Sequence, residues 1–171
     1  MDAVLYRKSH AGMERRKMKR LLFICHGNIC RSAAAKVVFE EMARRAGASE
    51  RFDADSAATS TEELGNDIYP PMKRALIDRG YACGPHRARQ ATRTDCERAD
   101  HILCADFANV RNMRRIAGEK NSGKVSLLLS WAGRNDEVAD PWYTRNFDAA
   151  LDDIEEGCSA LLKTLMNGDQ Q

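Results

Sequence analysis

Apolar residues in this chain switch between short unbroken runs and runs spaced three or four apart. Leu21 to Ile24 is four apolar residues in a row, the mark of a parallel strand covered on both faces. Helical spacing follows at Ala35, Val38, Phe39, Met42 and Ala46, with Gly47 as terminator. Phe52 to Ala57 reads as a second strand. Met72, Ala75 and Leu76 mark a helical face between Pro70-Pro71 and Gly80. His101 to Ala105 is a third strand, and Val110, Met113 and Ile116 lie on a helix ending near Gly118. Val125 to Leu129 is a fourth strand. The last helix carries one continuous stripe through Phe147, Leu151, Ile154, Cys158, Leu161, Leu162 and Leu165. Strands separated by helices predict βαβ units: a three-layer α/β fold, with a four-stranded parallel sheet and helices on both faces. Ligands of such sheets bind beyond the carboxyl ends of the strands, so the turn after strand one is the first place to seek chemistry.

Composition narrows the function classes. The chain has 171 residues, enough for one domain with its own core. The net charge of +2 hides a basic leader: residues 1–20 carry +5 and the other 151 carry −3. A mildly acidic body argues against nucleic-acid binding, which needs a basic face. We expect a disordered basic extension over residues 1–19, or a basic arm, then one domain over 20–167 and a disordered tail over 168–171. No apolar run approaches the ~18 residues of a membrane span, and the leader has no apolar h-region behind its charges. The reading is a cytoplasmic protein that binds no membrane. Its six cysteines, at 25, 30, 83, 96, 104 and 158, are then expected to be reduced, and they include no CxxC pair. No metal site and no cofactor is expected.

The turn after strand one reads Cys25-His26-Gly27-Asn28-Ile29-Cys30-Arg31-Ser32. Gly27 and Asn28 suit left-handed backbone, and the loop runs straight into a helix N-terminus. Successive N–H groups in such a loop can form a nest for an anion, and the helix dipole adds positive potential. A thiol at a helix N-terminus beside a cation is held as thiolate more readily than a free thiol, which is what a nucleophile needs at neutral pH. Arg31 can grip two oxygens of a tetraoxo anion, and Ser32 can donate to the thiolate. The bare spacing Cys-x5-Arg occurs twice. The second instance, Cys83 to Arg89, follows a helix end, and Pro85 removes an amide from its would-be nest. The competing reading of the first is a plain strand-to-helix turn.

The stretch Leu21-Leu22-Phe23-Ile24-Cys25-His26-Gly27-Asn28-Ile29-Cys30-Arg31-Ser32 resembles the phosphate-binding loop of the low-molecular-weight protein tyrosine phosphatases. The resemblance continues through Ser56-Ala57-Ala58-Thr59, His86-Arg87-Ala88-Arg89-Gln90, Ile102 to Asp106 and Asp140-Pro141-Trp142-Tyr143. It covers about residues 20–165. It implies a protein-tyrosine phosphatase acting through a phosphocysteine on phosphotyrosine proteins or aryl phosphates, as a monomer or weak dimer. Cys25 would be the nucleophile, Arg31 the anion clamp and Asp140 the acid that protonates the leaving group and later activates water. His26, Gly27, Asn28, Ile29, Cys30 and Ser32 would complete the phosphate loop, with Asn28, Ser56 and His86 bracing it. Trp142 and Tyr143 would wall the pocket; without the resemblance they read as anchors for the final helix. Cys30 would be a redox partner of Cys25, or a packing residue beneath the loop.

Four positions depart from the family, one being Ala58, where Gly is usual. His26 replaces an aliphatic residue, Ala33 a common Pro, and Glu62 falls about where many members carry Trp on the rim. The sister branch acting on phosphoarginine has Thr where this chain has Ile29, so Ile29 resembles the tyrosine-directed branch. Two rival readings remain: a thioredoxin-coupled arsenate reductase of the same fold, relaying through Cys96 and Cys104, and a non-catalytic phosphoprotein-binding module.

Overall fold

The computed structural model describes residues 18–168. The basic extension expected at the N-terminus falls, up to residue 17, outside the described residues, as do residues 169–171 of the expected tail. Strand β1 (Lys19–Cys25) is central in a parallel sheet, between β2 (Phe52–Ala58) and β3 (His101–Cys104), and β4 (Val125–Leu127) pairs outside β3. The order β2-β1-β3-β4 reverses direction at β1, which opens a crevice at its carboxyl end.

The two faces of β1 feed two cores, because side chains alternate along a strand. Leu21, Phe23 and Cys25 join one buried cluster with helix α1 (Arg31–Arg45) and the C-terminal helix. Leu22 and Ile24 join the other, which also holds Cys96, Cys104, Val110 and Met113. Leu21 through Cys25 are all at most 4% exposed, which explains why β1 reads as an unbroken apolar run.

Between β2 and β3 lie α2 (Pro70–Asp78), opened by proline, and α3 (Arg93–Arg98). Helix α3 has no apolar stripe and is missed by periodicity. It is fixed instead by a capping box, in which Thr92 Oγ1 accepts from Asp95 N and Asp95 Oδ2 accepts from Thr92 N. Helix α4 (Phe107–Ala117) starts at Asp106 and stops at Gly118, whose φ of +76° suits a residue without Cβ. Two further helices, α5 (Pro141–Thr144) and α6 (Phe147–Gly168), complete the chain.

One strand needs correction. The run Val125 to Leu129 is extended only to Leu127, and residues 128–132 form a 3-10 turn. Leu128 and Leu129 are both buried in the same core cluster. A strand would send adjacent side chains to opposite faces, so burying both on one side requires the chain to turn. Gly157 of α6 lies against that turn, and a Cβ there would sit 2.6 Å from Leu128 Cγ.

Candidate active site

Residues 26–30 connect β1 to α1, and the carbonyls of this loop are tied to groups around its outside. Cys25 O accepts from Thr59 N at 3.1 Å, His26 O from Ser60 N at 3.1 Å and Ile29 O from Tyr69 N at 2.7 Å. Asn28 O accepts from His86 Nε2 at 2.6 Å; a carbonyl cannot donate, so this imidazole carries its proton on Nε2. With the carbonyls held outward, the loop N–H groups are available to the cleft. Asn28 N already donates to Cys25 Sγ at 3.3 Å. The N-cap of α1, Cys30, makes no side-chain cap, and the first turn has no acidic residue. The orphan amides of this helix end therefore have no built-in anion.

Asn28 braces the loop from inside. It is fully buried with φ of +59°, a left-handed conformation that Asn tolerates better than most residues. Its Nδ2 donates to Ser32 Oγ and to Ser56 Oγ, both at 2.9 Å, and its Oδ1 accepts from Arg89 N at 3.2 Å. Ser32 Oγ in turn lies 3.0 Å from Cys25 Sγ. Asn28, Ser32, Ser56 and His86 thus form one network that ends on the sulfur.

Arg31 is 4% exposed, and its guanidinium is held from three sides. Nη1 donates to Val138 O at 2.9 Å, while Nη2 lies 3.0 Å from Asp106 Oδ2 and 3.5 Å from Asp140 Oδ2. Burial disfavours its charge, but the facing groups Cys25, Asp106 and Asp140 outweigh that and raise its pKa. Asp140 caps α5, with Oδ1 accepting from Trp142 N at 3.0 Å. For Cys30, burial together with the neighbouring Cys25 and Asp140 pushes the thiol up, so it stays protonated at neutral pH.

A cleft of about 460 Å³ opens over the loop. Cys25, Cys30 and Arg31 line its floor, and Asp140, Trp142 and Tyr143 one wall. Trp142 is 52% exposed and Tyr143 83%, so neither anchors α6 in the core. Trp142 packs on Tyr69, and the Arg145 guanidinium lies over its ring. His26 Nε2 meets Glu62 Oε2 at 3.0 Å on the opposite rim. Ser56 and His86 touch the loop from behind and do not line the cleft.

Sequence reasoning missed four contributors. Asp106 ends the Ile102-to-Asp106 stretch that carries the resemblance, but nothing there assigns it a role; its Oδ1 accepts from Asn109 N, which leaves Oδ2 for Arg31. Glu63 and Tyr69 line the cleft without any local signal. Arg89 serves through its backbone N–H and is fixed by Asp55 and Asp95. The Cys83-to-Arg89 segment, rejected as a second anion loop, instead carries His86 and Arg89 to the first one. Cys96 and Cys104 are fully buried in the core cluster on the other face of β1 from Cys25. No relay from Cys25 through these thiols is available in this arrangement. Among the described residues no group of three or more metal-ligating side chains occurs, and no helix is long and apolar enough to cross a membrane.

Comparison with known proteins points one way. The profile of a family described as low molecular weight phosphotyrosine protein phosphatase matches residues 20–171. The low-molecular-weight protein-tyrosine-phosphatase YfkJ of Bacillus subtilis is 33% identical over 155 residues, spanning 90% of this chain and 99% of its own. The human low-molecular-weight phosphotyrosine protein phosphatase is 34% identical over 158 residues, with 88% and 98% covered. The crystal structure of YfkJ superposes with a TM-score of 0.86, covering 90% of this chain and 98% of that one. The YwlE arginine phosphatase has the same fold, with a TM-score of 0.77 at 25% identity over 86% of this chain and 95% of its own.

Proposed function

Because the chain belongs to the low-molecular-weight protein-tyrosine phosphatases, we propose that it hydrolyses phosphotyrosine with Cys25, Arg31 and Asp140 as its catalytic groups. The observation that carries the assignment is the setting of Cys25 Sγ: the Asn28 N–H and the Ser32 hydroxyl within hydrogen-bond reach, and Arg31 and Asp140, 3.5 Å apart, lining the same cleft. The Cys25 thiolate attacks phosphorus in line, and an S–P bond forms as the P–O bond to the tyrosyl oxygen breaks. Asp140 gives its proton to the departing phenolate. Arg31 and the loop amides stabilise the equatorial oxygens, whose charge they meet at short range in a site already organised for it. Water then attacks the phosphocysteine, Asp140 takes its proton, and the S–P bond breaks to release inorganic phosphate.

The aromatic wall of Trp142, Tyr143 and Tyr69 suits a phenyl ring, and apolar Ile29 in the cleft lining suits an aryl ester better than a guanidinium. The substrate is a phosphoprotein. We take the enzyme to act on it in the cytoplasm as a monomer or weak dimer, without nucleic acid or membrane. The six free cysteines and the acidic body support that setting.

The decisive experiment is Cys25→Ser, assayed with phosphotyrosine, phosphoserine and phosphoarginine peptides beside the wild type. Wild type should turn over phosphotyrosine first. The variant should lose turnover by about a thousandfold or more, since a serine hydroxyl is barely ionised at pH 7, yet still bind vanadate through the intact nest and Arg31. Residual turnover near wild type would remove Cys25 as nucleophile, and a preference for phosphoarginine would remove the aryl reading.

A further inference from the structure

We propose that the groove running from the catalytic cleft along helix α2 is a substrate subsite. It would take the stretch of a phosphotyrosine peptide beside the phosphorylated residue, with a basic side chain next to the phosphotyrosine and an aliphatic one about three residues farther on. The inference rests on the phosphatase reading above and deepens it.

The groove has a volume of about 510 Å³. It shares Ile29, Glu63 and Tyr69 with the catalytic cleft, so the two are continuous. Its floor beyond that lip is one face of α2: Pro70, Lys73, Arg74 and Ile77 all line it. These positions fall at 0, 3, 4 and 7, a single stripe down the helix. The opposite stripe, Met72 and Leu76, is fully buried. Ile77 is 54% exposed at the far end. At 1.5 Å per residue, Pro70 to Ile77 spans about 10 Å, the length of about three residues of extended peptide.

The charges along this path set the order of side chains. Glu63 stands at the lip, held by Asn66 Nδ2 at 2.6 Å, and Glu62 lines the cleft next to it, beside His26. A lysine or arginine beside the phosphotyrosine would meet both carboxylates. In the middle, Lys73 is paired with Asp67 at 2.7 Å, so the exposed Arg74 beside that pair is what gives this section its net positive charge. The end is aliphatic, formed by Ile77, and a peptide side chain laid there covers apolar surface that otherwise meets water.

The test uses the full chain, free phosphotyrosine as the reference that is too short to reach α2, and phosphotyrosine peptides. The residue adjoining phosphotyrosine is Lys or Glu, and the residue three farther on is Leu or Ser, with the pair built on either side of the phosphotyrosine. In one chain direction, kcat/KM relative to free phosphotyrosine should be about threefold higher for Lys than for Glu and about fivefold higher for Leu than for Ser. In Ile77→Ser the Leu preference should vanish while the Lys preference stays. Peptides indistinguishable in both directions, or a Leu preference that survives Ile77→Ser, would overturn the subsite while leaving phosphatase activity standing. Failure to hydrolyse free phosphotyrosine would instead overturn the phosphatase reading itself.

Discussion

Asp106 shows how one side chain can serve two structures at once. One oxygen caps α4 and the other holds Arg31. Asp106→Asn keeps the shape but replaces a charge-assisted bond to a buried guanidinium with a neutral one. We expect kcat/KM for an aryl phosphate to fall about tenfold and vanadate affinity to fall with it, measured by steady-state kinetics and competition. Unchanged vanadate affinity would show that Val138 O and Asp140 suffice to position Arg31. Cys30 poses a separate question, because its thiol is half-buried beside Cys25 and kept protonated. Peroxide should convert Cys25 to a sulfenic acid, which can condense with the Cys30 thiol, releasing water and leaving a disulfide. Dithiothreitol should then restore most activity in the wild type and little in Cys30→Ser, and equal recovery would leave Cys30 as a packing residue.

At the level of elements, the core depends on how α6 packs against the turn that ends β4. The 3-10 turn over residues 128–132 fits only because Gly157 of α6 has no side chain. In Gly157→Ala the new methyl would meet Leu128 Cγ, close to the backbone rather than at a flexible tip. Overpacking of this kind costs about 1–3 kcal/mol, more than alanine's gain in helix propensity of about 1 kcal/mol. The denaturation midpoint should therefore drop with kcat little changed; a rise would show that Leu128 repacks freely. Helix α3 makes the complementary point. Six residues without an apolar stripe hold together through the Thr92–Asp95 capping box, and Asp95 also anchors Arg89 behind the phosphate loop.

For the molecule as a whole, pH is the natural probe. Burial opposes ionisation of Asp95, but the hydrogen bonds from Arg89 and Thr92 outweigh it and hold its carboxyl below the usual range. Lys73 and the Ile68 N–H do the same for Asp67, and Arg44 and Arg45 bring Glu41 down to about 2. His101 is lowered by burial and then by Lys19. Each of these groups binds protons more weakly folded than unfolded, so each favours the fold above its unfolded pKa and less as pH falls through the folded one. The thermal midpoint should decline gently below about pH 6.5 through His101 and more steeply below about pH 4 through the carboxylates. Glu40, raised by burial, works in the opposite sense. Asp95→Asn should flatten the acid limb, and an unchanged limb would exclude Asp95 as a contributor.

Much of this protein is written locally. The apolar run before Cys25, the stripe from Phe147 to Leu165, and the Gly-Asn pair ahead of Arg31 each encode their structure within a few residues. Periodicity and left-handed backbone preferences act over that range, so strand, helix and loop could be read directly. The phosphate loop was legible for the same reason. The company it keeps was legible only in part. The family resemblance places His86 behind the loop, and its imidazole does bind Asn28 O. Asp106 and Arg89 lie in stretches that carry the resemblance, yet no local pattern gives either a role. Asp106 arrives from the end of β3, Arg89 from an irregular segment, and Tyr69 and Glu63 from the crossover after β2. Their roles are set by partners dozens of residues away. The β4 boundary failed likewise: four apolar residues in the five from Val125 to Leu129 permit a strand, and only the packing of Leu128 and Leu129 against α6 turns the chain. Local pattern sets the long elements and the reactive loop, whereas the short helix α3, the end of β4 and the groups around that loop depend on burial and long-range hydrogen bonds, which exist only once the sheet has closed.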